Sequence, residues 1–206
     1  MKVMLINGSP RERGCTYTAL SEVADALEGN GVETEILYLG LGPIQGCAAC
    51  LACRKTGTCR FDDKVNEILE QAADIDGLVF GSPVYYASAT GQICSFLDRL
   101  FYASGGRFKN KVGASVVSCR RGGATAAFDR LNKYFTINSM PVVSSNYWNM
   151  VHGNTPDEVK QDAEGLQIMR TLGANMAWLL KSIEAGRAAG LPEPQLEDRV
   201  FTNFIR

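Results

Sequence analysis

Residues 2–27 read KVMLINGSPRERGCTYTALSEVADAL, and the order of residue types along them decides the fold. "KVMLI" (2–6) is an apolar run without polar alternation, as expected of a strand covered on both faces. A polar loop of small and hydroxyl-bearing residues follows. Leu20, Val23, Ala24 and Leu27 then recur at the spacing of one helical stripe. A doubly buried strand running straight into an amphipathic helix is half of a parallel crossover unit, because parallel strands cannot be joined by a tight turn.

The unit recurs down the chain. "ETEILYL" (33–39) predicts a second strand, and a helix is expected near 62–73 after a cysteine-rich loop (46–60). "DGLVFGSP" (76–83) predicts a third strand, and Ile93, Phe96, Leu97, Leu100 and Phe101 form the next helical stripe. "KVGASVVS" (111–118) predicts strand four, "ATAAFDRLNKYF" (124–135) a helix, and "PVVSSNYW" (141–148) the fifth strand. A long last helix is expected near 156–186, with Leu166, Met169, Leu172, Met176, Leu180 and Ile183 on one side. Five such pairs predict an α/β three-layer sandwich around a parallel five-stranded sheet, in the flavodoxin-like order 2-1-3-4-5. Ligands of that topology bind beyond the carboxyl ends of the strands, where the order reverses between strands 1 and 3.

Composition bounds the rest. The 206 residues are 46% hydrophobic and 21% charged, and suit one domain spanning 1–206. A proline-interrupted tail (190–206) is expected to pack irregularly or across a partner subunit. The net charge of −1 gives no electrostatic case for nucleic acid or an anionic membrane. No apolar run approaches the roughly 20 residues of a membrane span, and the N-terminus lacks a secretory pattern, so a cytoplasmic location is expected. Thiols stay reduced there, which turns the cysteines away from disulfides and towards metal or redox chemistry.

Three loops at the predicted carboxyl ends carry ligand-binding chemistry. "NGSPRERGCTYTAL" (7–20) offers small residues, the hydroxyls of Ser9, Thr16 and Thr18, and Arg11 and Arg13, immediately before a helix. Free N–H groups at a helix start plus a forked guanidinium make an anion site. It is neither a Walker loop nor a G-x-G-x-x-G dinucleotide loop. "GSPVYYASATG" (81–91) places Pro83, Val84, Tyr85 and Tyr86 where flat apolar surface could meet an aromatic ring system, with tyrosines merely covering the sheet end as the alternative. In "SCRRGGAT" (118–125), Arg120 and Arg121 could face electron-rich oxygens, and Gly122 lets backbone approach a ligand. Together they predict phosphate at one end and a planar heterocycle at the other. Acid–base and hydrolytic chemistry are poorly provided for. His152 is the sole histidine, and there is no G-x-S-x-G elbow.

"GCAACLACRKTGTC" (46–59) sets Cys47, Cys50, Cys53 and Cys59 in the spacing C-x2-C-x2-C-x5-C. Structural zinc sites usually split their ligands into two separated pairs, whereas closely stepped cysteines are typical of iron–sulfur ligation. From spacing alone, a cluster, a zinc ion and uncommitted or redox-reactive thiols all remain open. Cys94, between Ile93 and Phe96, reads as core filler.

"GSPR…T" (8–16), "GSPVYYAS.TG" (81–91), "FLDR" (96–99) and the cysteine motif resemble the flavodoxin-like NADPH-dependent FMN reductases and, within them, the iron–sulfur flavoproteins, over about residues 1–150. The resemblance implies that Ser9, Arg11, Cys15 and Thr16 surround an FMN phosphate, with Cys15 standing where family members usually carry Asn or Ser. It implies that Pro83, Val84, Tyr85 and Tyr86 line the isoalloxazine, and that Cys119, Arg120, Arg121 and Gly122 reach its pyrimidine end. It further implies a [4Fe–4S] cluster on Cys47, Cys50, Cys53 and Cys59, beside the flavin. Electrons would then pass from NAD(P)H, a reduced cluster or ferredoxin to a quinone, a nitro or azo compound, or a protein acceptor. A homodimer or homotetramer is also implied. A pure electron-transfer module and a cysteine-based redox sensor are the competing readings.

Overall fold

Alternate residues of the first strand, β1 (Lys2–Asn7), serve opposite layers. Val3 and Leu5 pack in one core cluster, Met4 and Ile6 in the other, as the two-residue side-chain period of a doubly covered strand requires. In this computed structural model, which describes all residues except 196, 199, 203, 205 and 206, β1 pairs with β2 (Glu33–Tyr38) and with β3 (Gly77–Pro83). β3 pairs with β4 (Val112–Cys119), and β4 with β5 (Met150–His152). All pairings are parallel and the order is β2-β1-β3-β4-β5, as the sequence predicts.

Helices cover both faces. α1 (Cys15–Gly29) buries Leu20, Val23, Ala24 and Leu27 against one, and α7 (Ala163–Ala188) joins it through Met169, Leu172, Met176 and Leu180. The other face carries α3 (Lys64–Glu70), α4 (Gly91–Ser104) and α5 (Ala124–Ile137). There Phe80 of β3 stacks on Phe135 of α5 at 4.4 Å between ring centroids. Among the described residues, no helix is long and apolar enough to cross a membrane.

Three expectations need correction. The fifth strand is not within 141–148. Pro141 offers no N–H, and Val142 makes only an isolated bridge to Gly113. Most of 144–148 is exposed, and the strand forms at 150–152, where Met150 and Val151 are buried. The single long helix near 156–186 is two, α6 (Pro156–Gln161) and α7. At Asp162 (φ −76°, ψ 76°) the backbone leaves the helical region, and its carboxylate accepts hydrogen bonds from Gly165 N–H and His152 N–H. The helix expected over 62–73 starts at Lys64, capped by Asp63, and ends in a 3-10 turn, 71–73. A short helix, α2 (Cys53–Thr56), also forms inside the cysteine loop. Within the described residues the tail past Gly190 has no helix or strand; the remaining tail positions lie outside them.

Candidate functional site

Asn7, buried at the end of β1, folds the loop that follows. Its Oδ1 accepts from Ser9 N–H (3.1 Å) and its Nδ2 donates to the Glu12 carbonyl (2.9 Å). The Ser9 hydroxyl oxygen accepts from Arg11 N–H (3.1 Å). α1 then begins after Gly14 with no capping side chain and no acid in its first turn. α3, α4, α6 and α7 are capped by Asp63, Thr90, Thr155 and Asp162. Among the described residues, the N–H groups of Thr16 and Tyr17 have no acceptor, and the exposed Arg11 guanidinium has no carboxylate partner. Free donors at the positive end of a helix dipole, beside a free guanidinium, form a receptor for an anion.

Two residues there contribute less through their side chains. The Thr16 hydroxyl is buried and 2.8 Å from the Ser118 hydroxyl, which leaves only the Thr16 N–H for a ligand. The Cys15 thiol donates to the Gly153 carbonyl (3.7 Å). Burial raises its pKa, against the pull of its own N–H and Arg11, so it is a neutral thiol near pH 7.

The loop after β3 is strained. Tyr85 and Ser88 exchange both backbone hydrogen bonds (2.8 and 2.9 Å), which leaves Tyr86 and Ala87 as a two-residue turn with φ of 50° and 57°. Turns with both central residues left-handed normally carry Asn-Gly or Gly-Gly, and each non-glycine residue there costs about 1–2 kcal/mol. The loop after β4 holds this turn in place. Gly123 has φ 87°, and a Cβ on it would lie 2.8 Å from Ala87 Cα and 3.1 Å from Val84 Cγ1. Tyr86 is wholly exposed and Tyr85 half-exposed, above the half-buried Pro83 and Val84. Strain that holds aromatic surface in water is characteristic of a ligand-binding loop. Thr90 ties the loops after β1 and β3 together, its hydroxyl donating to the Gly8 carbonyl (2.8 Å) and its N–H to the Ser82 hydroxyl (3.0 Å).

Cys119 is buried at the end of β4, where burial raises its thiol pKa. Arg120, Arg121 and Gly122 are exposed, and neither arginine forms an ion pair among the described residues. The fold therefore carries all three loops on the carboxyl edge of the sheet. His152 lies on this edge as well, with Nδ1 3.8 Å from Asp162. The exposed Tyr147 and Trp148 rings meet edge-on at 5.1 Å. Cys94 packs partly buried against the core, as expected of filler.

The cysteine loop brings Cys47, Cys50, Cys53 and Cys59 to one concavity, which Arg60, Phe61, Arg99 and Tyr102 also line. Its first arm, Gly46–Cys50, makes no hydrogen bond among the described residues, and Ala49 (φ 49°) and Leu51 (φ 59°) are left-handed. Its second arm is pinned. Arg107 donates to the Gly57 carbonyl. Asn66 accepts from Cys59 N–H (2.8 Å) and donates to the Cys59 carbonyl (3.0 Å). Among the described residues, no three potential metal ligands converge on one point. Four thiols lining one concavity, with free N–H groups around them, are the donor set that an iron–sulfur cluster takes.

The residue that sequence reasoning missed is Arg99, quoted within "FLDR" but given no role. Its signal was positional, since a charge three residues after Phe96 on an apolar helical face must be paired where it is buried. Asp63 and Asn66, its companions beneath the loop, carried no such signal.

The NADPH-dependent FMN reductase family model matches residues 1–155. The chain is 34% identical to an iron–sulfur flavoprotein of Methanocaldococcus jannaschii, over 89% of this chain and 100% of that one. It is 29% identical to an iron–sulfur flavoprotein of Methanosarcina thermophila, over 91% of this chain and 99% of that one. In fold it is similar to RosB, solved with bound 8-demethyl-8-formylriboflavin-5'-phosphate (TM-score 0.71, 18% identity, 100% and 92% coverage). It is also similar to an archaeal flavodoxin (TM-score 0.61, 16% identity, 88% and 99% coverage).

Proposed function

The chain belongs to the NADPH-dependent FMN reductase family, among its iron–sulfur flavoproteins, and from that premise we propose that it is an FMN-dependent oxidoreductase. In this reading it moves electrons from NAD(P)H or a reduced iron–sulfur donor to a quinone, a nitro or azo compound, or a protein acceptor. The observation that carries it is the pairing, on one sheet edge, of an uncapped helix start beside Arg11 with a strained turn that presents Tyr85 and Tyr86.

Bound FMN would supply hydride and one-electron chemistry, and a cluster on Cys47, Cys50, Cys53 and Cys59 would supply one-electron transfer. The protein binds and orients. The N–H groups of Thr16 and Tyr17 and the Arg11 fork would hold the phosphate dianion, with Ser9 shaping the loop beneath them. Pro83, Val84, Tyr85 and Tyr86 would bear on the ring system, and the backbone of 119–122 would meet its polar edge. Arg120 and Arg121 would set positive charge there, which favours extra electron density on the ring. We further place the chain in a homodimer or homotetramer, since Trp178 and the tail residues Val200 and Phe204 expose large apolar surface.

The test is anaerobic turnover of FMN-loaded protein with NADPH, NADH or reduced ferredoxin, each with a quinone, a nitroarene and an azo dye. Oxidation of a nicotinamide coupled to one of these acceptors supports the oxidoreductase. Flavin reduction by ferredoxin alone, with every small acceptor inert, would replace it with a pure electron carrier. Failure of every donor to reduce the flavin would overturn both.

A further inference from the structure

Arg99 is among the largest fully buried side chains, with 1% exposure. From α4 its guanidinium reaches beneath the cysteine loop. Nη1 donates to Asp63 Oδ2 (2.6 Å) and to the Gln45 carbonyl (3.3 Å). Nη2 donates to Asp63 Oδ1 (2.9 Å) and to the Phe61 carbonyl (2.9 Å). The group also stacks over the Phe61 ring at 5.1 Å. These contacts neutralise and satisfy a buried charge. They leave Nε, which donates to Cys59 Sγ at 3.2 Å.

The four thiols are therefore unequal. Cys59 is held at three points, by Asn66 on both backbone groups and by Arg99 on sulfur. Cys53 donates to the Tyr102 carbonyl at 3.9 Å. Cys47 and Cys50 lie exposed on the arm without hydrogen bonds. One ligand stands fixed under a cation while two others have no such donor.

Resting on the reading that this loop holds an iron–sulfur cluster, we propose that Arg99 is its positioning residue: it anchors Cys59 Sγ and, through the charged Nε–H···Sγ hydrogen bond, raises the reduction potential of the cluster. The physical reason is that a cationic donor on a ligand sulfur stabilises the reduced, more negative cluster more than the oxidised one. Asn66 and Asp63 act one step further out, Asn66 by fixing the Cys59 backbone and Asp63 by fixing the guanidinium. Cys59 would offer the first ordered ligand, and the arm bearing Cys47 and Cys50 would close over the metal afterwards.

The full chain, reconstituted anaerobically with iron and sulfide, is titrated by spectroelectrochemistry beside two variants. Arg99→Lys keeps a cation for Asp63 but has no Nε. The double variant Arg99→Met with Asp63→Asn removes both charges of the ion pair together, and asparagine still caps α3. Folding is checked by circular dichroism. The double variant is expected to bind iron incompletely, or to hold a cluster whose preference for the reduced state falls about tenfold, about 59 mV for a one-electron couple. The lysine variant should lie between it and the parent. Both variants with full iron and the parent potential would overturn the role of Arg99 while leaving the cluster in place. A parent chain that takes up no iron would overturn both. A measurement free of folding effects uses the unmutated chain. Electron–nuclear double resonance of the reduced cluster should find a slowly exchanging guanidinium proton coupled to it, and its absence would refute the contact.

Discussion

Gly122 and Gly123 are neighbours, yet alanine should act on them in opposite ways. At Gly123 (φ 87°) a methyl group would enter the left-handed region and meet Ala87 Cα at 2.8 Å, a backbone atom that cannot turn aside. The first effect costs about 1–2 kcal/mol and the second, as overpacking, about 1–3 kcal/mol. For a chain of this size each kcal/mol lowers Tm by about 2–4 °C, so Gly123→Ala should melt about 10 °C below the parent. Gly122 is exposed, has no atom within 4 Å of an added Cβ and is not left-handed. Gly122→Ala should therefore stay within about 0.5 kcal/mol of the parent. The assay is thermal unfolding by circular dichroism without added flavin, followed by FMN titration. Gly123→Ala should also weaken FMN binding, because relief of the clash moves the loop bearing Tyr85 and Tyr86. Equal melting temperatures for the two variants would refute the packing of the β4–α5 loop on the tyrosine turn.

Other consequences concern single groups. Arg11→Ala should weaken FMN binding by about 10- to 100-fold, the worth of a charge-assisted hydrogen bond, while riboflavin, which lacks the phosphate, should bind both forms alike in fluorescence titration. Ala87→Gly relieves a left-handed alanine (φ 57°) and should raise Tm by about 2–4 °C, the equivalent of about 1 kcal/mol. Burial raises the Cys119 thiol above its ordinary 9.0, so the unfolded chain releases that proton first. Its contribution to stability is whole below pH 9 and is lost as pH rises through the folded value. Urea unfolding between pH 8 and 10.5 should show a shallower decline in Cys119→Ala.

What the sequence revealed and what it hid divide along physical lines. Val3–Ile6 and the stripe Leu20, Val23, Ala24 and Leu27 answer to burial, and burial is written into residue type, so the sheet order was legible. The true fifth strand is short, and Val142 with Val143 mimic a strand where Pro141 and the polar run after them prevent one. Asp162 breaks the last helix by a side-chain cap, which periodicity does not register. The Tyr86–Ala87 turn has no glycine or asparagine signature, because the β4–α5 loop imposes it from outside. Thr16 reads as a phosphate hydroxyl, yet the neighbouring strand takes that hydroxyl through Ser118. The contacts of Arg99 with Cys59 and Asp63 are long-range, 40 and 36 positions away along the chain, so a motif only four residues long could not announce them.

The visible absorption spectrum of protein purified anaerobically, read before and after addition of excess FMN, addresses the central claim most directly. Paired flavin bands that persist through gel filtration, with a broad iron–sulfur shoulder lost in Cys50→Ala, are the predicted result. A chain that stays colourless after FMN is added and removed would contradict the flavin site on which the functional reading rests.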